Sequence, residues 1–260
     1  MPCLDLSGVE LHYELIEGDA RRGWLVFLHE GLGSVELWRE FPEMVAGSTG
    51  RPALVYSRRG HGWSEPLDSS RPPGFMHDEA LSVLPALLDR LSIEEPVLVG
   101  HSDGASIALI YAGVADRPVS GLVALAPHVF VEPQSLEGLA AAGEAFTTSD
   151  LEERMAKYHH DPRRTFYGWH DIWMSPEFRD WNIEDVLVGI EAPLLLIQGA
   201  DDEYGSAAQI DAITAGVKGR VEVVWLEDCG HSPHLDQRER VTEATVGFIR
   251  RLPGNFDSHD

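Results

Sequence analysis

The sequence predicts an α/β fold: a mostly parallel sheet with helices on both faces and one inserted helical segment. Three observations lead there. Continuous apolar runs alternate with amphipathic helical patterns, as parallel strands buried on both faces and joined by helical crossovers require. One such run, Pro96-Val97-Leu98-Val99, passes through Gly100-His101-Ser102-Asp103-Gly104 into the helix-like stretch 105–111, which reads as strand, sharp turn and helix. The rhythm then breaks over residues 132–190, a polar, helical and aromatic-rich interval between two strand-like runs.

Taken in order, residues 4–6 and 9–15 flank Ser7-Gly8 with alternating polarity and read as a hairpin. Trp24-Leu25-Val26-Phe27-Leu28-His29 reads as a central strand, and Ala53-Leu54-Val55-Tyr56 as another. A helix is expected over 79–91, where apolar residues at 80, 81, 84, 87, 88 and 91 form one stripe. Residues 121–126, 193–199 and 221–226 complete the strands. The expected division is a core of 1–131 and 191–260, with 132–190 inserted as a helical lid. Within the lid, helices are expected over 135–146, 150–159 and 176–187. Most of its aromatics should pack it onto the core, with a few left to line a pocket.

The chain has 260 residues, 43% of them hydrophobic, enough for one α/β domain with a two-sided sheet. No apolar run approaches the ~20 residues that cross a bilayer, and no signal-like segment opens the chain, so a cytoplasmic location is expected. A net charge of −23 repels nucleic acid and anionic membranes. The expected partner is therefore a small-molecule substrate; the oligomeric state is left open. Cys3 and Cys229 are too few for a disulfide framework or a thiolate metal cage. No Gly-rich phosphate loop of common spacing appears, so neither a cofactor nor a metal is expected.

The Gly-x-Ser-x-Gly turn is where chemistry is expected. Its glycines allow a reversal too tight for side chains, and Ser102 is presented above a helix N-terminus whose dipole favours developing negative charge. A nucleophilic serine needs a base and a group that orients the base. Asp202 lies in the acidic loop Ala200-Asp201-Asp202-Glu203-Tyr204-Gly205 after one strand, and His231 in the loop Cys229-Gly230-His231-Ser232-Pro233-His234 after the next. Ser102 would attack a carbonyl, His231 take its proton, and Asp202 fix the imidazole tautomer. Two N–H donors must meet the resulting oxyanion. They are assigned to Asp103, beside the nucleophile, and to Gly31 in His29-Glu30-Gly31-Leu32-Gly33-Ser34. Glu30, Leu32, His128, Trp169 and Trp173 are candidates for the substrate pocket.

With the oxyanion loop, Ser57-Arg58-Arg59-Gly60-His61-Gly62-Trp63-Ser64, the Ser102 turn, Gln198-Gly199-Ala200-Asp201-Asp202 and Gly230-His231-Ser232-Pro233, the chain resembles the α/β-hydrolase superfamily. The resemblance is to the lid-bearing branch of small esterases, proline iminopeptidases, cofactor-free haloperoxidases and meta-cleavage hydrolases. It implies an eight-stranded sheet and a Ser–acid–His chain order, and its spacing selects Asp202 over Asp201 as the acid. The activity it implies is that of a serine hydrolase cleaving small, largely apolar carboxylic esters. C–C bond hydrolysis, thioesterase, lactonase or aminopeptidase activity fits the same residues, and a non-catalytic ligand receptor is the alternative of another class. Two departures stand out. Glu30 replaces a common glycine and would oppose the oxyanion unless turned away or paired, with Arg58 or Arg59 as expected partner. Asp103 replaces a common apolar residue, and with Glu30 it should make anionic substrate groups unwelcome.

Other residues carry competing readings. His234 is a second candidate base and Cys229 a candidate thiol. His128 is either pocket-lining or a bonded loop histidine. His159-His160 and His170-Asp171 invite a metal reading that lacks supporting ligands. Arg163, Arg164 and Arg179 are expected to be solvated or paired, or to hold an anionic tail.

Overall fold

The computed structural model describes residues 2–252. Its strands are β1 (Cys3–Leu6), β2 (Val9–Ile16), β3 (Leu25–Leu28), β4 (Ala53–Tyr56), β5 (Val97–His101), β6 (Gly121–Leu125), β7 (Leu194–Gly199) and β8 (Val221–Leu226). They form one eight-stranded sheet in the order β1-β2-β4-β3-β5-β6-β7-β8. β1 pairs antiparallel with β2, and β2 with β4. Every other neighbouring pair is parallel. The parallel strands bring the loops after β3, β5, β6, β7 and β8 to one edge of the sheet, where open α/β sheets place their ligands.

The helices are α1 (Phe41–Thr49), α2 (Phe75–Asp78), α3 (Leu84–Arg90), α4 (Asp103–Val114) and α5 (Pro133–Thr148). They continue with α6 (Leu151–Met155), α7 (Pro162–Met174), α8 (Ala207–Gly216), α9 (Pro233–Asp236) and α10 (Arg238–Arg250). Successive strand residues point to opposite faces, and both faces are apolar. Val26, Leu28, Leu54, Tyr56, Leu98 and Leu196 share a core with α3, α4 and residues of the β6–β7 insertion. Leu25, Phe27, Val55, Val99, Leu195 and Ile197 share the other with α1 and α10. This explains the unbroken apolar runs.

The expected helix over 79–91 needs correcting. It starts earlier, at Phe75, and passes through a π-helical turn, Glu79–Val83, before α3. Pro85 lies just beyond that turn; it lacks an N–H and its ring would crowd the carbonyl of Leu81 in a regular helix. The turn also rotates the apolar stripe: Leu81 is 38% exposed, while Phe75 and Met76 are buried.

The insertion differs more. α5 lies where a helix was expected, but α6 ends at Met155, short of His159. α7 was not among the expected helices, although Asp161 caps it by accepting from the N–H of Arg164 and Pro162 occupies its first turn. Residues 176–187 form two 3-10 turns, Pro176–Phe178 and Glu184–Gly189, rather than one helix. Between them Asn182 bridges to Phe130. Val186, Leu187 and Ile190 then join the main core beneath α4.

α4 is buried from Asp103 to Tyr111 because it lies against the sheet at the end of β5. The approach is so close that a Cβ on Gly104 would fall 1.9 Å from the Leu28 carbonyl oxygen. Gly104→Ala is expected to destabilise the fold by about 3 kcal/mol, lowering Tm by roughly 6–12 °C. A thermal melt within about 2 °C of the parent protein would show that the β3–α4 contact is not the constraint described.

Candidate active site

Ser102 sits between β5 and α4 at φ 50° and ψ −118°, a conformation unusual for a side-chain-bearing residue. Its N–H donates to the Leu125 carbonyl at 2.9 Å, tying the turn to β6. Its carbonyl accepts from the N–H of Ala105 and of Ser106 at 2.8 and 3.0 Å, starting α4. Among the described residues, the N–H of Asp103 has no acceptor and Ser102 Oγ makes no hydrogen bond. Both groups belong to a cavity of about 240 Å³ at the sheet edge.

Across this cavity His231 Nδ1 donates to Asp202 at 2.8 Å from Oδ1 and 2.9 Å from Oδ2. Asp202 Oδ1 also accepts from the N–H of Tyr204 and of Gly205, and Oδ2 from Gln198 Nε2. Burial would raise its carboxyl, but the bond to His231, that ring's charge and the Tyr204 N–H outweigh this and hold it below the ordinary range. The same bond acts on the partner. Burial opposes the imidazolium, yet the Asp202 hydrogen bond and charge hold His231 above its ordinary value. With Nδ1 committed to Asp202, Nε2 is the nitrogen left to accept a proton. Asp201 is exposed.

The loop after β3 is held by the segment 57–61. His29 Nε2 accepts from the Arg58 N–H at 3.0 Å, so Nδ1 carries the ring hydrogen and donates to the Glu30 carbonyl at 2.7 Å. The same carbonyl accepts from Arg58 Nη2 at 2.9 Å and from the Gly33 N–H at 3.2 Å. Across a trans peptide the Gly31 N–H points opposite to the Glu30 carbonyl, so fixing one fixes the other. Gly31 lines the cavity, and its N–H has no acceptor among the described residues. His61 Nε2 holds the Gly31 carbonyl at 3.0 Å, and Arg71 donates to His61 Nδ1.

The expected pairing of Glu30 with an arginine is corrected here. Arg58 bonds the backbone oxygens of His29 and Glu30, and its side chain lies 4.0 Å from the Asp103 carboxylate. Arg59 pairs with Glu65 and Asp68. The Glu30 carboxylate faces His101 Nδ1 at 3.5 Å instead. Asp103 accepts from Trp173 Nε1 at 3.2 Å, and burial raises its carboxyl against the opposing charge of Arg58.

All the residues expected to form the site except Asp202 line the cavity: Glu30, Gly31, Leu32, Ser102, Asp103, His128, Trp169, Trp173 and His231. Asp202 lies behind His231, buried. Sequence reasoning missed Ser135 and Leu139 of α5, and Glu203, Tyr204 and Ser232. The last three lie within two residues of Asp202 or His231, and that nearness is the signal by which sequence could find them. His234 packs against Trp38 and Phe41, outside the cavity lining, and burial pulls it down to about 3. Cys229 is buried, and burial with nearby Asp236 pushes its thiol up to about 11, the reverse of an activated thiol. Among the described residues no group of three His, Cys, Asp or Glu side chains is placed to hold a metal ion. His159 Nδ1 accepts from the Gly62 N–H, and Arg163 and Arg164 pair with Glu152 and Asp161. No described helix is long and apolar enough to cross a membrane.

Such an arrangement can perform acyl transfer: a nucleophile lining a cavity, an oriented base, and two free N–H groups. Comparison with known proteins agrees in kind. The sequence profile of the Alpha/beta hydrolase family matches residues 25–244. The sn-1-specific diacylglycerol lipase ABHD11 of Danio rerio is 34% identical over 283 residues, 94% of this chain and 84% of that protein. The mouse lipase of the same name matches over a shorter stretch, 42% of this chain and 34% of its own length, also at 34% identity. A proline iminopeptidase of Lactobacillus helveticus is 23% identical across 99% of this chain and 97% of its own. Among solved structures, the enol-lactonase of Burkholderia xenovorans LB400 superposes with a TM-score of 0.74 at 20% identity, covering 95% of this chain and 99% of that one.

The His231–Asp202 pair can be tested without any substrate. In an NMR titration the His231 ring should show a midpoint above 6.5. In Asp202→Asn only burial and weaker neighbours act on the ring, so its midpoint should fall. An unmoved midpoint would mean that Asp202 does not set the protonation of His231.

Proposed function

Because this chain belongs to the α/β hydrolase family, we propose that it is a cytoplasmic serine hydrolase cleaving small, largely apolar carboxylic esters through an acyl-Ser102 intermediate. The observation that carries this reading is the His231 Nδ1–Asp202 bond beside a cavity onto which Ser102 opens at positive φ. Ser102 Oγ attacks the ester carbon as its proton passes to His231 Nε2, and the negative oxygen meets the N–H groups of Gly31 and Asp103. Collapse breaks the C–O bond, and the departing alkoxide takes the proton back as an alcohol. Water then repeats the sequence at the acyl carbon, releasing the acid and restoring Ser102.

Two features of the cavity support neutral esters. Its charged lining consists of Glu30, Asp103 and Glu203, with His231 and His128 beside them and neither lysine nor arginine. An anionic group, such as meta-cleavage substrates usually carry, therefore has no cation to meet. His128 is held neutral, burial and the neighbouring His231 pulling it down to about 3. Leu32, Leu139, Trp169 and Trp173 supply apolar surface, and about 240 Å³ suits a small acyl group. α5 and α7 contribute four lining residues, Ser135, Leu139, Trp169 and Trp173, which supports the insertion's role as a lid.

A fluorophosphonate probe followed by peptide mapping should modify Ser102, and p-nitrophenyl acetate and butyrate should be hydrolysed faster than the octanoate. Ser102→Ala should lose about 10⁴-fold or more in kcat/KM. Folded protein with no adduct and no turnover would reverse the reading in favour of a ligand receptor.

A further inference from the structure

Glu30 stands where a negative charge would oppose the oxyanion, and neither arginine nearby compensates it. We propose that His101 and Glu30 share one proton beside the oxyanion loop, making His101 a positioning residue that neutralises Glu30 and holds the main chain of His231. This rests on the acyl-transfer reading of the site for its consequence, though not for its geometry.

His101 is 1% exposed, and its Nε2 lies 2.6 Å from the His231 carbonyl oxygen. A carbonyl only accepts, so Nε2 carries a hydrogen and donates it. Nδ1 lies 3.5 Å from Glu30 Oε2, is sealed from water and has no hydrogen-bond partner. A neutral ring protonated at Nε2 would therefore aim a bare lone pair at a carboxylate oxygen. One further proton between them removes that repulsion, on Nδ1 as an imidazolium–carboxylate pair or on Glu30 as a neutral acid. Either way the pair is neutral overall rather than negative.

The surroundings favour the imidazolium form. Burial alone would raise the Glu30 carboxyl, but the His101 ring facing it at 3.5 Å outweighs this and holds it below the ordinary range. The other titratable groups facing the pair are His29, His128, His159, His231 and His234, and the Asp103 carboxyl, whose charge is opposed by Arg58. His29, His128 and His234 are each pulled down by burial and stay neutral. His231 has its own counter-charge in Asp202. The Glu30 carboxylate is also folded back over its loop, since a Cβ on Gly33 would come within 2.3 Å of Oε2. His101 thus joins three loops: its own Ser102 turn, the oxyanion loop through Glu30, and the base loop through the His231 carbonyl.

The test uses His101→Gln, whose amide nitrogen can reach near the former Nε2 and keep a donor for the His231 carbonyl while the second proton is lost. Its kcat on p-nitrophenyl butyrate and its rate of fluorophosphonate labelling should fall about tenfold with KM little changed. Adding Glu30→Gln should restore most of that loss, a rescue that a merely structural role of His101 would not produce. A His101→Gln protein at the parent rate, or a double variant as slow as the single one, would sink the proposal. In the parent protein, ¹⁵N NMR should show both ring nitrogens of His101 protonated near neutral pH; a singly protonated ring beside an ionised Glu30 would overturn the proposal even if the variants fail to fold. Absence of labelling in the parent protein would instead count against the acyl-transfer reading and leave the NMR result standing on its own.

Discussion

The carbonyl oxygen of Glu30 receives hydrogen bonds from His29 Nδ1, Arg58 Nη2 and the Gly33 N–H, and the shape of the candidate site follows from that. Peptide planarity turns a pinned carbonyl into a pinned N–H on the next residue, which is how a flexible Gly-Leu-Gly sequence can present a fixed donor. The cost lies in Arg58, a residue only 1% exposed. A buried cation is tolerated only when its donors are met and its charge is opposed. The carbonyls of His29 and Glu30 meet two donors, and the Asp103 carboxylate, 4.0 Å away, opposes the charge. Asp103 lies in the first turn of α4, where a carboxylate also suits the helix dipole. The residue after the nucleophile is thus acidic because the oxyanion loop is held by an arginine.

Charge around the cavity is arranged in opposed pairs: Arg58 with Asp103, Asp202 with His231, Glu30 with His101. Each of these three acids has a nearby cation or cation-forming ring, which limits the uncompensated negative charge around the cavity of a strongly acidic protein. The pairs also link parts of the chain far apart in sequence: Arg58 with the start of α4, Glu30 with the end of β5, and Asp202 with the loop after β8. Coulombic attraction across a few ångströms of poorly solvated protein holds loops in register more firmly than it would at the surface.

Much of this was legible because it repeats in the covalent sequence. The parallel strands announced themselves as apolar runs, and Ser102, Asp202 and His231 as residues at element ends. Side-chain partners were less legible. Arg58 was read as a candidate partner for the Glu30 carboxylate, but it reaches the carbonyl of the same residue, and sequence does not distinguish an oxygen of the main chain from one of the side chain. His101 lies inside the motif that identifies Ser102, and its partners, the Glu30 carboxylate and the His231 carbonyl, lie in loops distant along the chain. The Asp161-Pro162 start of α7 is a helix signal set in an aromatic-rich stretch whose composition points to a pocket rather than to a helix. The π turn before α3 depends on Pro85 relieving itself against Leu81, a strain that an apolar stripe does not express.

The insertion is bonded to the loops that bear the reacting groups. Gln134 donates to the Asp202 carbonyl, Ser135 to that of Tyr204, Thr165 to that of Gly60, and Trp173 to the Asp103 carboxylate. Moving it as a rigid body would break these together and disturb the groups they position. The two tryptophans over the cavity differ in this respect. Trp173 is fixed by its hydrogen bond to Asp103, whereas Trp169 makes no hydrogen bond among the described residues and is held by packing against Phe166, Tyr204 and the bare backbone of Gly31. An apolar ligand entering the cavity would therefore displace Trp169 at lower cost than Trp173, because packing contacts can be replaced by the ligand's own apolar surface while a buried hydrogen bond to a carboxylate cannot. Under the proposed acyl transfer, room for different acyl groups would be made at the side chain that covers Gly31, beside the N–H donor assigned to the oxyanion.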